Sequence, residues 1–180
     1  MKNTAPLALL IAVAAIGCTD RHDATSRTAP QAEVQPARPT MSMKTTDARI
    51  ATLGAKSTDC NIESVNDAGF EPAVPTVEIA KPALVSGWLI DAKNKVVPTD
   101  VRVRVETEAG DKAWEQPVTA WNDRGDIVTA HGGTAAYRKS GFQVPLELGE
   151  LVPGAYNIYL VHGPLGSETA CGVGRRFHAK

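Results

Sequence analysis

Three side chains of the types that serine hydrolases use lie close together in the sequence. Asp126, His131 and Ser140 could supply the carboxylate, the base and the nucleophile of an acyl-transfer triad. Ser140 does not lie in a Gly-x-Ser-x-Gly sequence, however, which is the strand-to-helix turn that exposes the nucleophile in many hydrolases. The spacing therefore favours a simpler interpretation, in which His131 is a polar residue that leads into a Gly132-Gly133 turn.

Aromatic side chains are the more informative candidates for binding. Trp114 and Trp121 flank the polar stretch Glu115-Gln116-Pro117, so we expect at least one of them to be exposed, where it could stack on a sugar or fill a pocket of a partner. Tyr137, which is followed by Arg138, is a comparable loop candidate. The sequence thus gives these four residues as candidates for binding a partner.

The tripeptide Arg124-Gly125-Asp126 has the sequence of an integrin ligand. Three residues recur by chance, and we expect a structural role in a turn that enters a strand. In that role Arg124 would pair with Asp126 or with a neighbouring strand.

Charge and histidine spacing exclude several other classes of function. The 180-residue chain has a formal net charge of -1 at pH 7, whereas proteins that bind nucleic acid carry a strong basic excess. His22 and His178 have no partners at the spacing of metal ligands. We therefore predict no nucleic-acid partner, no metal and no cofactor.

The chain begins with a segment typical of a secretory signal. A lysine at position 2 is followed by an uncharged apolar run from Ala5 to Gly17, which as a helix of about 20 Å is too short for a bilayer core of roughly 30 Å. Ala15-Ile16-Gly17-Cys18 resembles the lipobox of bacterial lipoproteins. The resemblance implies a signal peptide over residues 1–17, acyl chains on Cys18 that enter the lipid bilayer and, from Thr19, sorting to the outer membrane.

A flexible tether is predicted to follow the lipidated cysteine, over residues 18–57. The region is rich in Thr, Ala, Ser and Pro and has no sustained apolar period, so it cannot bury enough surface to fold alone. One exception is the stretch from Met41 to Leu53, where Met43, Ile50 and Leu53 could share one face of a short helix that either docks on the domain or frays.

If Cys18 is acylated, Cys60 and Cys171 are the two thiols that remain. In the oxidising cell envelope they should form a disulfide. The two cysteines lie near the two ends of the region predicted to fold, so the disulfide would close a loop of about 110 residues.

Residues 58–180 read as one all-β domain, a single antiparallel β-sandwich, because short apolar alternations are separated by turn residues. Val101 to Val105 alternate with two arginines, so the valines should face the core and the arginines the solvent. The other predicted strands are Thr76 to Ala80, Leu84 to Ile90, Ile127 to Ala130, Gly141 to Leu148, Ala155 to Val161 and Gly172 to His178.

Several short motifs in this domain resemble bacterial immunoglobulin-like surface modules. They are Gly87-Trp88, the segment Arg124 to Val128, Ser140-Gly141-Phe142 and the segment Leu151 to Tyr156. The resemblance implies an immunoglobulin-like sandwich and no particular activity.

The leading hypothesis is that of a membrane-anchored, non-enzymatic binding module of the cell envelope whose partner is an envelope protein or a glycan. A second hypothesis is an inhibitor of a lysozyme or a protease, which would insert a rigid loop into a catalytic cleft. A third is an envelope hydrolase, which requires Asp126, His131 and Ser140 to converge.

Overall fold

The computed structural model describes residues 42–44, 55–164, 166–171 and 174–180. The predicted leader, Cys18 and most of the predicted tether lie outside these residues. Within them the chain forms twelve strands, one α-helix and one turn of 3₁₀ helix. The strands are β1 Ser42–Lys44, β2 Ala55–Ser57, β3 Cys60–Val65, β4 Thr76–Val77, β5 Ala83–Leu89, β6 Arg102–Thr107, β7 Ala113–Pro117, β8 Trp121–Asn122, β9 Gly141–Leu146, β10 Gly154–His162, β11 Thr169–Cys171 and β12 Arg175–Ala179, and the helices are α1 Gly125–Ala130 and the 3₁₀ helix Ala135–Tyr137.

The smaller of two sheets has the strand order β3-β5-β9-β8, and its neighbouring strands are antiparallel. Along β5 buried and half-buried residues alternate strictly, because successive side chains of a strand point to opposite faces of the sheet. One face of this sheet therefore enters the core, and Trp88 lies on the other.

The larger sheet has the order β1-β7-β6-β10-β11-β2. The long strand β10 pairs through its first half with β12 and through its last residues with β11. Pairing is antiparallel except for β2 with β11 and β4 with β12, which are parallel. The prediction of an all-β fold with mainly antiparallel strands is confirmed.

A single core joins the two sheets. Ile62 and Phe142 of the smaller sheet and Ile158 and Phe177 of the larger one belong to the same cluster of buried residues. Burial of apolar side chains stabilises such a core by about 25 cal/mol for each Å² removed from water.

The predicted disulfide is confirmed. Cys60 in β3 and Cys171 in β11 are joined, with their Cα atoms 6.0 Å apart. Since β3 belongs to the smaller sheet and β11 to the larger one, the bond connects the two sheets covalently.

The strand predicted at Ile127 to Ala130 is wrong, because these residues form the end of α1. Ile127 packs with Ile90 and Tyr137 in a second, smaller cluster. Asp126 lies in the first turn of the helix, where a negative charge is favourable. The helix thus covers part of the outer face of the smaller sheet, which a further strand would not do.

Two segments of the region predicted as a tether are strands. β1 pairs with β7 through Met43 and its neighbours, and β2 pairs with β11. The helix proposed for the stretch that includes Met43 is therefore wrong for residues 42–44. Without these two segments, β7 and β11 would be edge strands with unpaired backbone N–H and C=O groups. β1 and β2 form hydrogen bonds with those groups.

The expectation that both arginines of β6 face solvent is wrong for Arg104, which is only 4% exposed. It does point away from the core, as the alternation predicts. Its guanidinium forms ion pairs with Glu106 of the same strand and Glu115 of β7, and sequence periodicity carries no information about such cross-strand partners.

Candidate functional site

An open cavity of about 490 Å³ lies where the disulfide joins the sheets. One wall follows β2 into the residues before Cys60, another is the loop after β5, and the third comes from the end of β10 and the start of β11. The lining residues are Lys56, Ser57, Thr58, Asp59, Asp91, Ala92, Lys93, Asn94, His162 and Thr169. Most of these side chains are polar, and they are exposed or half-buried.

The loop that forms the second wall is held in one conformation by its own hydrogen bonds. Asp91 and Val96 exchange two backbone hydrogen bonds of 2.8 and 3.2 Å. The Asp91 carboxylate accepts hydrogen bonds from the backbone and side-chain nitrogens of Asn94 at 2.9 and 2.6 Å. These bonds, the backbone one first, lower the pKa of Asp91. The wall is therefore preformed, and the Asp91 charge is already partly compensated.

His162 is the histidine of the cavity. Burial lowers its pKa below the usual value, and this effect outweighs the nearby Asp100 and Asp91 carboxylates, which act in the opposite direction. At neutral pH the ring is therefore mostly uncharged. A neutral imidazole offers one hydrogen-bond donor and one acceptor.

Lys56 and Lys93 contribute positive charge to the opening of the cavity. Both side chains are exposed, and within the described residues neither forms an ion pair. Together with the hydroxyls of Ser57, Thr58 and Thr169, they supply many hydrogen-bond donors within a small volume. Such a surface suits a ligand rich in hydroxyl, amide or carboxylate groups.

No cluster of three or more histidine, cysteine, aspartate or glutamate side chains suitable for a metal ion occurs among the described residues.

Two of the aromatic residues predicted to bind a partner are buried. Trp114, 4% exposed, packs edge-on against Tyr156 in the core, and Tyr137, 3% exposed, packs against His131. Trp114 lies in β7, a strand that was not predicted because the polar Glu115 and Gln116 interrupt the apolar alternation. Neither ring offers a face to a partner.

The other two predicted residues remain at the surface. Trp121 in β8 is half-buried, with its ring edge-on to Phe142. Arg138 is exposed and lies 3.5 Å from the Asp123 carboxylate. Neither residue lines the cavity, so a binding role for them stays a prediction separate from that site.

The three residues of the hypothetical triad lie in different environments. Ser140 is fully buried, and the Asp126 carboxylate is held by Arg124 at 2.9 and 2.7 Å. The His131 ring packs edge-on against the rings of Trp88 and Tyr137. A substrate cannot reach the Ser140 hydroxyl in this arrangement.

Arg124 connects α1 to the smaller sheet. Besides Asp126, it contacts both oxygens of Glu63 in β3, each at 3.0 Å. Hydrogen bonds from Arg124 lower the pKa of Asp126 to about 2. The predicted pairing of Arg124 with Asp126 is confirmed, and the Arg-Gly-Asp sequence has a structural role at the start of a helix rather than of a strand.

The cavity residues were missed because they come from four separate parts of the chain. In the sequence, the segment Asp91 to Lys95 indicates only a turn, and His162 appears only as the residue after a predicted strand. The position of His162, a histidine at the end of a predicted strand and next to a turn, was the one feature of the sequence that pointed to this site.

Comparison with protein-family models, with curated proteins and with solved structures gave no match to the chain. Among the described residues, no helix combines the length and apolar character required to cross a membrane.

Proposed function

We propose that the chain is a lipid-anchored protein of the bacterial cell envelope that binds a small polar ligand without chemical turnover. The cavity beside the disulfide carries this proposal. Its volume of about 490 Å³ lies in the range of roughly 300 to 1,000 Å³ common for ligand sites. A binding role requires preformed polar groups, which the cavity has, and does not require a nucleophile and a base.

The chemistry of the lining favours a glycan fragment over a flat protein surface. Hydroxyl and amide donors, a neutral imidazole and two ammonium groups match the hydroxyl, acetamido and carboxylate groups of envelope sugars. A concave site also buries more of a small ligand than of a folded partner. The ligand that we propose is therefore an amino-sugar oligosaccharide of the envelope.

The anchor rests on the sequence. The lipobox-like Ala15-Ile16-Gly17-Cys18 supports acylation of Cys18, and Thr19 supports sorting to the outer membrane. Two or three acyl chains bind a bilayer far more strongly than the single chain that gives marginal binding. Intact mass of the protein from its native membrane should show loss of residues 1–17 and added acyl chains. An unmodified Cys18 would contradict the anchor.

We further infer that the domain is an immunoglobulin-like sandwich. The Tyr156 hydroxyl, near the start of β10, donates a hydrogen bond of 2.7 Å to the Val152 carbonyl and accepts one of 3.1 Å from the Val152 amide. This arrangement matches the tyrosine corner of immunoglobulin-like domains. An experimental structure in which this tyrosine does not close the corner before β10 would contradict the assignment.

Calorimetric titration with soluble amino-sugar oligosaccharides tests the binding function. We expect the full processed chain to bind at least one of them. The double variant His162→Ala, Lys93→Ala should raise the dissociation constant about tenfold, which is the equivalent of one or two polar contacts. Lys112→Ala is the matched control, because Lys112 is exposed but lies outside the cavity.

Two results would contradict the proposal. One is binding that the cavity variant leaves unchanged, which would move the site elsewhere. The other is cleavage of the oligosaccharide during the titration, which would indicate a hydrolase.

A further inference from the structure

His162 occupies the last position of a core-facing row in β10. Ile158 and Leu160 of this row are fully buried in the main core, and alternation along a strand places His162 on the same face of the sheet. His162 itself is half-buried, because the core ends here and the cavity begins. An ionisable ring thus lies where the space between the two sheets opens to solvent.

The neighbouring segments hold this ring in place. His162 is aligned with Thr169 of β11, and the residue that follows it, Gly163, donates its backbone N–H to the Asp100 carboxylate at 2.8 Å. The Arg102 guanidinium donates a hydrogen bond of 3.3 Å to the Gly163 carbonyl. The ring is therefore a fixed part of the cavity wall.

Two carboxylates act on His162, and both already have partners. The Asp91 carboxylate accepts hydrogen bonds of 2.9 and 2.6 Å from Asn94. The Asp100 carboxylate accepts the hydrogen bond from Gly163. Because these groups are engaged, neither neutralises a proton on His162 fully, and burial outweighs their combined effect on the ring.

One cation, Arg102 of β6, also acts on His162 and disfavours its protonation. Arg102 pairs with the buried Glu115 at 3.1 Å and lies 3.8 Å from the buried Glu168. It is not among the residues that line the cavity. Its charge is thus largely compensated at a separate place, and it does not compete with His162 for a ligand.

The charges of the cavity lining balance while His162 is neutral. Among the described residues of the lining, Lys56 and Lys93 are positive, and Asp59 and Asp91 are negative. His162 is the remaining ionisable group of this set, and histidine is the side-chain type whose ordinary pKa lies between about 5 and 8. A proton on His162 therefore changes the lining from neutral to positive by a single charge.

Protonation also changes which hydrogen bonds the ring can form. A neutral imidazole has one donor and one acceptor, whereas an imidazolium has two donors and no acceptor. A carboxylate accepts charge-assisted hydrogen bonds, which are about twice as strong as neutral ones. A ligand hydroxyl gains less from the charge and loses an acceptor for its proton.

We propose that His162 is a proton switch of the cavity, which on protonation favours sugars that carry a carboxylate over neutral sugars of the same size. The inference rests on the binding function proposed above, and it adds a class of ligand and its control by pH. By linkage, a ligand that prefers the protonated cavity must in turn favour the proton on His162. Titration of the ring itself is therefore a direct readout.

Glucuronate and glucose are matched probes for this switch, because the carboxylate is the group that distinguishes them. NMR titration of the histidine rings in the full processed chain, at equal ionic strength, should give a higher pKa for His162 in glucuronate than in glucose. His178 is the control, because it is exposed in β12 and lies outside the cavity. An equal pKa of His162 in both sugars would overturn the proposal, as would a rise that His178 shares equally.

Affinity measurements supply a second test. The dissociation constant of glucuronate should fall about fivefold or more between about pH 8 and pH 5, whereas that of glucose should not fall. His162→Gln should abolish this dependence, and His178→Gln should retain it. A dependence that persists in His162→Gln would assign the effect to another group and contradict the switch.

Failure of this inference can be distinguished from failure of the binding function. If no amino-sugar oligosaccharide binds in calorimetry but glucuronate raises the pKa of His162, the oligosaccharide is the wrong ligand and the switch stands. If an oligosaccharide binds in the cavity and His162 does not respond to glucuronate, the binding function stands and the switch is wrong.

Discussion

At the scale of single residues, His162 combines burial with a position in the cavity. Its lowered pKa arises mainly from desolvation, with the carboxylates of Asp100 and Asp91 opposing it. The ordinary pKa of histidine in an unfolded chain is about 6.5. At pH values between the pKa of His162 in the folded protein and its pKa of about 6.5 in the unfolded chain, the unfolded state binds more protons than the folded state does.

His162 should therefore make stability depend on pH in a defined window. As pH rises from the folded pKa to about 6.5, the free energy of unfolding increases, and it falls again as pH is lowered through that window. His162→Gln should flatten this dependence. Urea denaturation at several values between about pH 5 and 8 measures it.

His178→Gln is the control for this experiment, because His178 is exposed in β12. We expect this variant to keep the pH dependence of the parent chain. A slope that is lost equally in both variants, or in neither, would contradict the assignment to His162.

At the scale of elements, β6 shows how two neighbouring strands stabilise one another through charge. Arg104 lies between the carboxylates of Glu106 and Glu115, at 2.8 and 3.4 Å, and Arg102 approaches Glu115 at 3.1 Å. A buried pair gives little net stability against an apolar substitute, but removal of one member leaves an uncompensated charge. β6 and β7 thus depend on the complete network.

Arg104→Met should lower the free energy of unfolding by about 3 to 5 kcal/mol, because it removes the cation that pairs with the buried Glu106 carboxylate and one of the two arginines that pair with Glu115. Arg138→Met is the matched control. Its guanidinium pairs with Asp123 at the surface, where such pairs contribute about 0 to 1 kcal/mol. Denaturant unfolding of the two variants measures the difference, and equal losses would refute the distinction.

At the scale of the whole molecule, the bond between Cys60 and Cys171 joins the two sheets beside the cavity. The cysteines are separated by 111 residues, so the bond restricts most of the domain in the unfolded state. In the chain-entropy model a loop of this size gives about 4 to 5 kcal/mol. Asp59, which precedes Cys60, and Thr169, two residues before Cys171, line the cavity.

The double variant Cys60→Ser, Cys171→Ser should lose about 4 to 5 kcal/mol of unfolding free energy and bind the oligosaccharide less tightly, since two cavity walls are then held only by packing. Denaturant unfolding and calorimetry on the same preparations measure both effects. Unchanged stability in the double variant would contradict a major role for the bond.

Local patterns in the sequence were sufficient for the class of fold, and the number of cysteines together with the expected compartment was sufficient for the disulfide. Alternation at Leu84 to Ile90 and at Ala155 to Val161 predicted strands that are present as β5 and β10, because a strand with one buried face repeats every two residues. The oxidising compartment that a resemblance to the lipobox would imply predicted the pairing of Cys60 with Cys171. Both inferences use information that lies close together in the chain or in its composition.

Tertiary structure decided the rest, because the deciding contacts come from residues far apart in the chain. Burial of Trp114 and Arg104 depends on their neighbours in the larger sheet, and the helical state of Ile127 depends on the smaller sheet beneath it. The cavity brings Lys56, Asp91 and His162 together from three segments. Local sequence determines which conformation a segment prefers, whereas its partners in space determine which side chains are buried, paired or free to bind.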